Sequence, residues 1–172
     1  YLGAYSLSEA GSGTDAAAMV AKASDDGDFY ILNGEKMWVT NGTTADLFVL
    51  FAKVTDHPDY GTKKHGGVTC FIIEKGFEGF KIGKKEDKLG IRSSDTCTLV
   101  LDNCKVPKEN VLGEVGKGFS IAMNALDNSR IGIAAQALGI AQGAYEAALK
   151  YSKERETFGK PIAQHQTISN YL

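Results

Sequence analysis

The sequence lacks any marked excess of one charge: 19 Lys and Arg stand against 21 Asp and Glu, a net charge of −2 over 172 residues. Without a basic field, nucleic acid and anionic membrane are poor partners. There are only three cysteines, Cys70, Cys97 and Cys104. Being odd in number and free of any CxxC spacing, they fit a reducing compartment rather than a disulfide framework. His57, His65 and His165 are scattered and no HExxH occurs, so no metal site is expected. No apolar run reaches the ~18 residues of a membrane span. The opening YLGAYSLSE has neither the charged nor the apolar region of a signal peptide, and no Met begins it. The expectation is a piece of a longer chain, with any targeting signal outside it.

Two periodicities divide what is present. From Tyr5 to about Pro107, short runs alternate with period two between turn signals: FYILNGEKMWVT, DLFVLFAKV, GVTCFIIE, GFKIG, TCTLVL and NCKVP. Strands at such spacing predict a barrel or sandwich. Asn33-Gly34 between two such runs predicts a hairpin turn. TDHPDYGTKKHGG reads as a long surface loop. Residues 119 to about 155 carry no proline, are rich in alanine, and repeat apolar residues at helical spacing (Ala134, Leu138, Ala141, Tyr145, Leu149). A helix apolar on more than one side is buried among partners. Gly159, with Pro161 beyond it, reads as the C-cap glycine that stops this helix, and AQHQTISNYL as the start of another. The fold class expected is α+β: an antiparallel β-barrel or sandwich over 1–116, then the first long helix of an incomplete bundle over 117–172.

The stretch YSLSEAGSGTDAA, Tyr5 to Ala17, holds the densest cluster of small and hydroxyl residues near the amino end. Gly11-Ser12-Gly13-Thr14-Asp15-Ala16 matches G-x-G-x-x-A literally. A dinucleotide fingerprint needs a long helix next, and here DDGD interrupts within nine residues of AAAMVAKAS. No Gly-Lys-Ser/Thr is present, so a Walker loop fails too. A solvated loop and a phosphate cradle of backbone amides both stay open on the glycines alone, the bland form of Gly13 being a plain turn with φ > 0.

LSEAGSGTD resembles the signature of the acyl-CoA dehydrogenase family, filled by Leu7, Ser8, Glu9, Ser12, Gly13, Thr14 and Asp15; Ser6 and Ala10 depart from its usual residues. NGEKMWVTNG, KLGIRSSDT, VPKENVLGEVGKGF, ALDNSRIGIAAQALGIAQGA and ERETFGKPIAQHQ follow in the family's order. The KKEDKLGIRSSDT and LDNSRIGIAAQALGIAQ blocks are most similar to the short-chain (butyryl-CoA) branch. The resemblance implies FAD-dependent α,β-dehydrogenation of a short-chain acyl-CoA, with electrons passed to an electron-transfer flavoprotein, in a tetramer of the bacterial cytoplasm or mitochondrial matrix. It also implies that this chain is the middle β domain and the first part of the C-terminal helical domain. An acyl-CoA oxidase and a non-catalytic β-barrel binding module are the competing readings.

The resemblance also implies roles. Trp38, Val39 and Thr40 would contact the flavin; period two puts Trp38 and Thr40 on one sheet face, although a strand Trp is by itself more often core. Tyr5, Leu7, Ser8, Gly13 and Thr14 form the second flavin-contacting stretch, with Thr14 also touching CoA. Asp127 and Arg130, three apart on the helix, would meet CoA, or form a plain ion pair. Arg155, Thr157, His165 and Gln166 would reach the FAD of a neighbouring subunit. Arg92 reads as a loop-ordering arginine. One branch of the family carries its catalytic glutamate immediately before the helix arginine, where this chain has Ser129. A hydroxyl cannot serve as that base; the family's other branch places its glutamate much later, so the resemblance implies that no catalytic residue lies within the chain and that the glutamate lies beyond Leu172.

Overall fold

A computed structural model describes residues 1–172. In order, the strands are β1 (Gly3–Ser6), β2 (Lys22–Asp26), β3 (Phe29–Thr40), β4 (Leu47–Val54), β5 (Val68–Glu74), β6 (Phe80–Lys85), β7 (Thr96–Pro107) and β8 (Val111–Leu112). The helix α1 (Gly118–Glu154) follows, then the two-stranded β9 (Glu156–Thr157) and β10 (Lys160–Pro161), and the short α2 (Gln166–Ser169). The α+β class read from periodicity is the one found. Two compact units divide the chain at Asn124/Ala125. No helix is long and apolar enough to cross a membrane.

The first unit is one sheet in the order β6-β7-β3-β2-β4-β5-β8, with β1 also on β4. The sequence LFVLFA explains why β4 is central. Phe48, Leu50, Phe51 and Ala52 are all buried, so both of its faces are covered, as a near-continuous apolar run requires. Most pairings are antiparallel, but one edge of β4 carries two parallel partners. β1 pairs Gly3 to Ser6 with Leu47 to Leu50, and β2 pairs Lys22 and Ala23 with Lys53 and Val54. The segment between β1 and β2, which contains LSEAGSGTD, therefore leaves that edge and returns to it. Phe71, Ile73, Leu99 and Val106 complete the core against Phe48 and Leu50.

Two expected turns are elsewhere. Asn33-Gly34 is not a hairpin tip, because β3 runs straight through it. The β2–β3 turn is at Gly27-Asp28, where Gly27 has φ +67 and its amide donates to Asp25 Oδ1 at 3.1 Å. Asn33 instead faces a bulge at Asn103 of β7, accepting the Asn103 amide on Oδ1 at 2.8 Å. Gly159 does not cap α1. With Phe158 it forms the β9–β10 tip, both at positive φ (53 and 75), the geometry of a tight hairpin turn.

Gly34 is required for a different reason than a turn. Its φ is +144, and a Cβ there would lie 2.9 Å from both Cα and Cβ of Ala21, the residue at which the β1–β2 segment rejoins the sheet. Gly34→Ala is expected to destabilise the protein by about 1–3 kcal/mol, through overpacking and an unfavourable φ together. Urea unfolding midpoints measure this.

Candidate functional site

The β1–β2 segment is held at its root by one buried ion pair. Lys36, on β3, is 0% exposed and Glu9 5%. Lys36 Nζ donates to Glu9 Oε1 at 2.6 Å and to the Leu7 carbonyl at 3.1 Å. The Glu9 carboxylate also accepts the Val20 amide on Oε2 at 2.6 Å and the Ala21 amide on Oε1 at 3.2 Å. One side chain thus ties the start of the segment to its end and to β3. Burial holds the Lys36 ammonium below its ordinary pKa, opposed by the nearby Glu9 carboxylate. Neither residue stands out as a site residue in the sequence. The signal that could have found Lys36 is the period of two: Tyr30 and Leu32 are core residues, and Lys36 continues their face.

Next to Lys36, β3 bulges. Lys36 pairs with Leu99 and Val39 with Cys97, leaving one extra residue between them. Trp38 takes φ +57, rare for a bulky residue, and its side chain is 63% exposed. The amide of Met37, off the ladder, donates to the Ser8 carbonyl at 2.9 Å. The two stretches singled out in the sequence therefore meet. Val39 buries its side chain in the core and has only backbone to offer outward, while Thr40 is exposed. Just beyond, Asp95 orders the turn after β3: its carboxylate accepts the Thr43 amide at 2.8 Å and the Thr43 hydroxyl, and its carbonyl accepts the Asn41 amide at 3.1 Å.

The donors on this surface are uncommitted. Ser8 Oγ, half-buried, bonds to no group of the chain, nor do the amides of Gly13 and Thr14 or the Thr14 hydroxyl. Glu9 and Ser12 exchange backbone bonds at 2.8 and 3.1 Å, making a tight turn with Gly13, Thr14 and Asp15 exposed beyond it. Gly13 lacks the positive φ of a plain glycine turn, and a Cβ there would meet nothing within 4 Å. Neither strain nor packing within the chain demands glycine, whereas close approach of a ligand to backbone would. An exposed aromatic plate, a free hydroxyl on the stretch bonded to the residue before it, and free amides fit a flat heterocycle bearing phosphates. Leu7 is buried and serves through its carbonyl. Tyr5 is committed elsewhere: its hydroxyl donates to the Ala122 carbonyl at 3.3 Å, its ring packs edge-on against Phe51, and burial pushes its phenol up to about 12, with Cys70 adding to it.

In the second unit, Asp127 and Arg130 are both more than three-quarters exposed, 3.9 Å apart at closest. A surface pair of that kind adds little stability, so both heads are available. Ser129 Oγ donates back to the Leu126 carbonyl at 3.0 Å. Past α1, the other four residues share one small structure: the Ile162 amide donates to the Arg155 carbonyl at 2.8 Å, and Thr157 Oγ1 bonds His165 Nε2 at 3.0 Å. The Arg155 and Gln166 side chains are exposed and bond to nothing in the chain. Arg92 orders its loop through the Lys88 carbonyl at 2.6 Å and Asp87 at 2.9 Å.

Comparison with known proteins gives two family matches: acyl-CoA dehydrogenase, middle domain, over residues 4–104, and acyl-CoA dehydrogenase, C-terminal domain, over 116–172. A short-chain-specific acyl-CoA dehydrogenase of Clostridium acetobutylicum is 52% identical over 168 residues, covering 98% of this chain and 43% of that protein. Butyryl-CoA dehydrogenase from Megasphaera elsdenii superposes with a TM-score of 0.90 at 50% identity, over 98% of this chain and 43% of that one. An acyl-CoA dehydrogenase of Bacillus anthracis, solved in complex with FAD, gives 0.88 at 40% identity, over 96% and 28%. The chain spans less than half the length of these relatives.

Asp95 yields a pH prediction. Hydrogen bonds from Thr43 hold its carboxyl below the ordinary 3.8. Between that lowered value and 3.8 the unfolded chain binds more protons than the folded one, so stability rises with pH there. Its contribution is complete above 3.8 and is lost as pH falls through the folded value. Asp95→Asn should therefore be less stable than the parent at neutral pH, and the gap should close in strong acid. Urea melts at the two pH values measure it.

Proposed function

The chain belongs to the acyl-CoA dehydrogenase family, and on that premise we propose that the complete protein oxidises a short-chain acyl-CoA to the trans-2-enoyl-CoA with FAD. The single observation that carries this reading is the Met37–Ser8 backbone bond of 2.9 Å, which joins the residue bearing an uncommitted hydroxyl to the residue directly before an exposed tryptophan. FAD, when bound, supplies the acceptor for the β-hydride while a carboxylate takes the α-proton. On this reading Trp38 packs against the flat ring system, and Ser8 and Thr40 donate to its edge. Val39 contributes backbone only. The Gly13 and Thr14 amides meet phosphate, and Thr14 also meets CoA. Tyr5 and Leu7 hold the stretch in place, Tyr5 from the α1 side through Ala122 and Leu7 from the β3 side through Lys36.

Asp127 and Arg130, with exposed charged ends, suit the polar CoA portion. Arg155, Thr157, His165 and Gln166 suit a dinucleotide brought by a second copy, which makes a homo-tetramer with shared sites the fitting assembly. An electron-transfer flavoprotein is the fitting acceptor. Ser129 cannot remove an α-proton, and the carboxylate base is placed outside residues 1–172 on the pattern of the family branch that carries its glutamate later.

The complete protein should purify with flavin absorption that bleaches anaerobically on adding butyryl-CoA, whereas residues 1–172 alone should give no turnover. A colourless complete protein would favour a plain binding module; peroxide release in air would favour an oxidase. Trp38→Ala separates ligand contact from core: it should change stability by no more than about 1 kcal/mol yet weaken FAD retention. A core tryptophan would instead cost about 3–5 kcal/mol.

A further inference from the structure

Lys36 and Glu9 are buried charges, and the reaction proposed above assigns them nothing. Burying an ion pair rarely stabilises a protein more than apolar residues of the same volume would, so stability alone is a poor reason for one here. Its connections point to another reason. Lys36 is two residues before Trp38, at the foot of the bulge that gives the indole its positive φ. Glu9 directly follows Ser8, and the other bond of Lys36 is to Leu7, directly before Ser8. Ser8 is therefore gripped on both sides by one ammonium, while its own carbonyl takes the Met37 amide. Three bonds fix the Ser8 backbone against the two residues that precede Trp38. Glu9 adds the far end of the loop through Val20 and Ala21, which limits how far Gly13 and Thr14 can swing.

We propose that Glu9 and Lys36 are a positioning pair that sets the distance between the Ser8 hydroxyl and the Trp38 indole, and so the fit of the flavin ring between them. The inference rests on the reading of this surface as the flavin site. The pair touches no reacting atom and acts only through Ser8 and the bulge. A misplacement on the order of 1 Å can cost about a hundredfold in rate where groups must be aligned, and a cofactor site whose donor and aromatic plate are held by the pair should lose fit when the pair is removed even if folding is restored.

The test uses the complete FAD-loaded protein. Lys36→Met leaves Glu9 buried without its counter-ion and should lower the melting temperature. The double variant Glu9→Gln with Lys36→Met removes both charges and keeps an acceptor for the Val20 and Ala21 amides, so it should regain most of that stability. It should nonetheless bind FAD on the order of tenfold or more weakly and alter the visible circular dichroism of the flavin, which reports its asymmetric surroundings. Adding Ser8→Ala to the double variant should cost little more, since the hydroxyl is already misplaced, whereas Ser8→Ala in the parent should cost FAD affinity in full. A double variant that regains parental FAD affinity and dichroism along with its stability overturns the inference, as does a Ser8→Ala loss that is equally large in both backgrounds. A parent protein that binds no flavin, or a Ser8→Ala variant that binds it normally, would instead strike at the flavin reading and take this inference with it.

Discussion

The Glu9–Lys36 pair is the constraint on which the rest of this surface depends. A charge in a dry interior costs several kcal/mol unless its bonds are satisfied. Here the satisfaction is distributed: the ammonium holds a carboxylate and a carbonyl, and the carboxylate holds two amides besides. No one of these segments can shift without leaving a buried polar group unmatched. The loop can therefore be dry and rigid at its root while Gly13, Thr14 and Asp15 remain exposed. An exposed glycine-rich loop with unpaired amides would ordinarily sample many conformations, and closing both ends on one side chain narrows that range.

The sheet supplies the second half of the geometry. A regular pleat would place Trp38 by alternation alone, but the bulge shifts the register by one residue and takes the Met37 amide off the β7 ladder. That amide goes to Ser8. The strained φ of Trp38 costs on the order of 1–3 kcal/mol and is sustained by the packed residues on either side, Lys36 and Val39, both of which are buried. β4 anchors the whole: it receives β1 and β2 along one edge, so the loop that joins them begins and ends against a strand buried on both faces.

Strand content and the long helix were legible in the sequence because each is a local pattern, whereas the two stretches proposed to meet the flavin were picked out by their resemblance to the family's motifs. Period two in β3 and an alanine-rich proline-free run in α1 declare themselves within a few positions, while the string of hydroxyl and glycine residues stays ambiguous on composition alone. What was not legible is set by tertiary pairing. Asn33-Gly34 has the composition of a turn, but Ala21 packs on Gly34 and Asn103 bulges opposite Asn33, and neither neighbour is visible locally. Gly159 has the composition of a helix cap and becomes a hairpin tip because Lys160 pairs with Thr157 and Pro161 with Glu156. The period of two places Lys36 on the core face, but the partner that makes its burial possible, Glu9, is far away in sequence and is brought beside it only by the fold.

Helix α1 carries the same logic into the second unit. From Asp127 to Ala148 every residue is exposed, including Ile131, Ile133, Leu138 and Ile140. Apolar residues distributed over more than one side of a helix need cover on more than one side, and an exposed apolar surface of this length marks an interaction site. The small residues between them, Ala134, Ala135, Gly139 and Gly143, let other backbones approach closely. Directly beyond this helix, Arg155 and Gln166 present free polar ends while Thr157 and His165 brace one another. On the reading proposed above, the rest of the helical bundle and a second copy of the protein would cover this surface, and the polar groups at its end, which bond to nothing within residues 1–172, would meet the dinucleotide there.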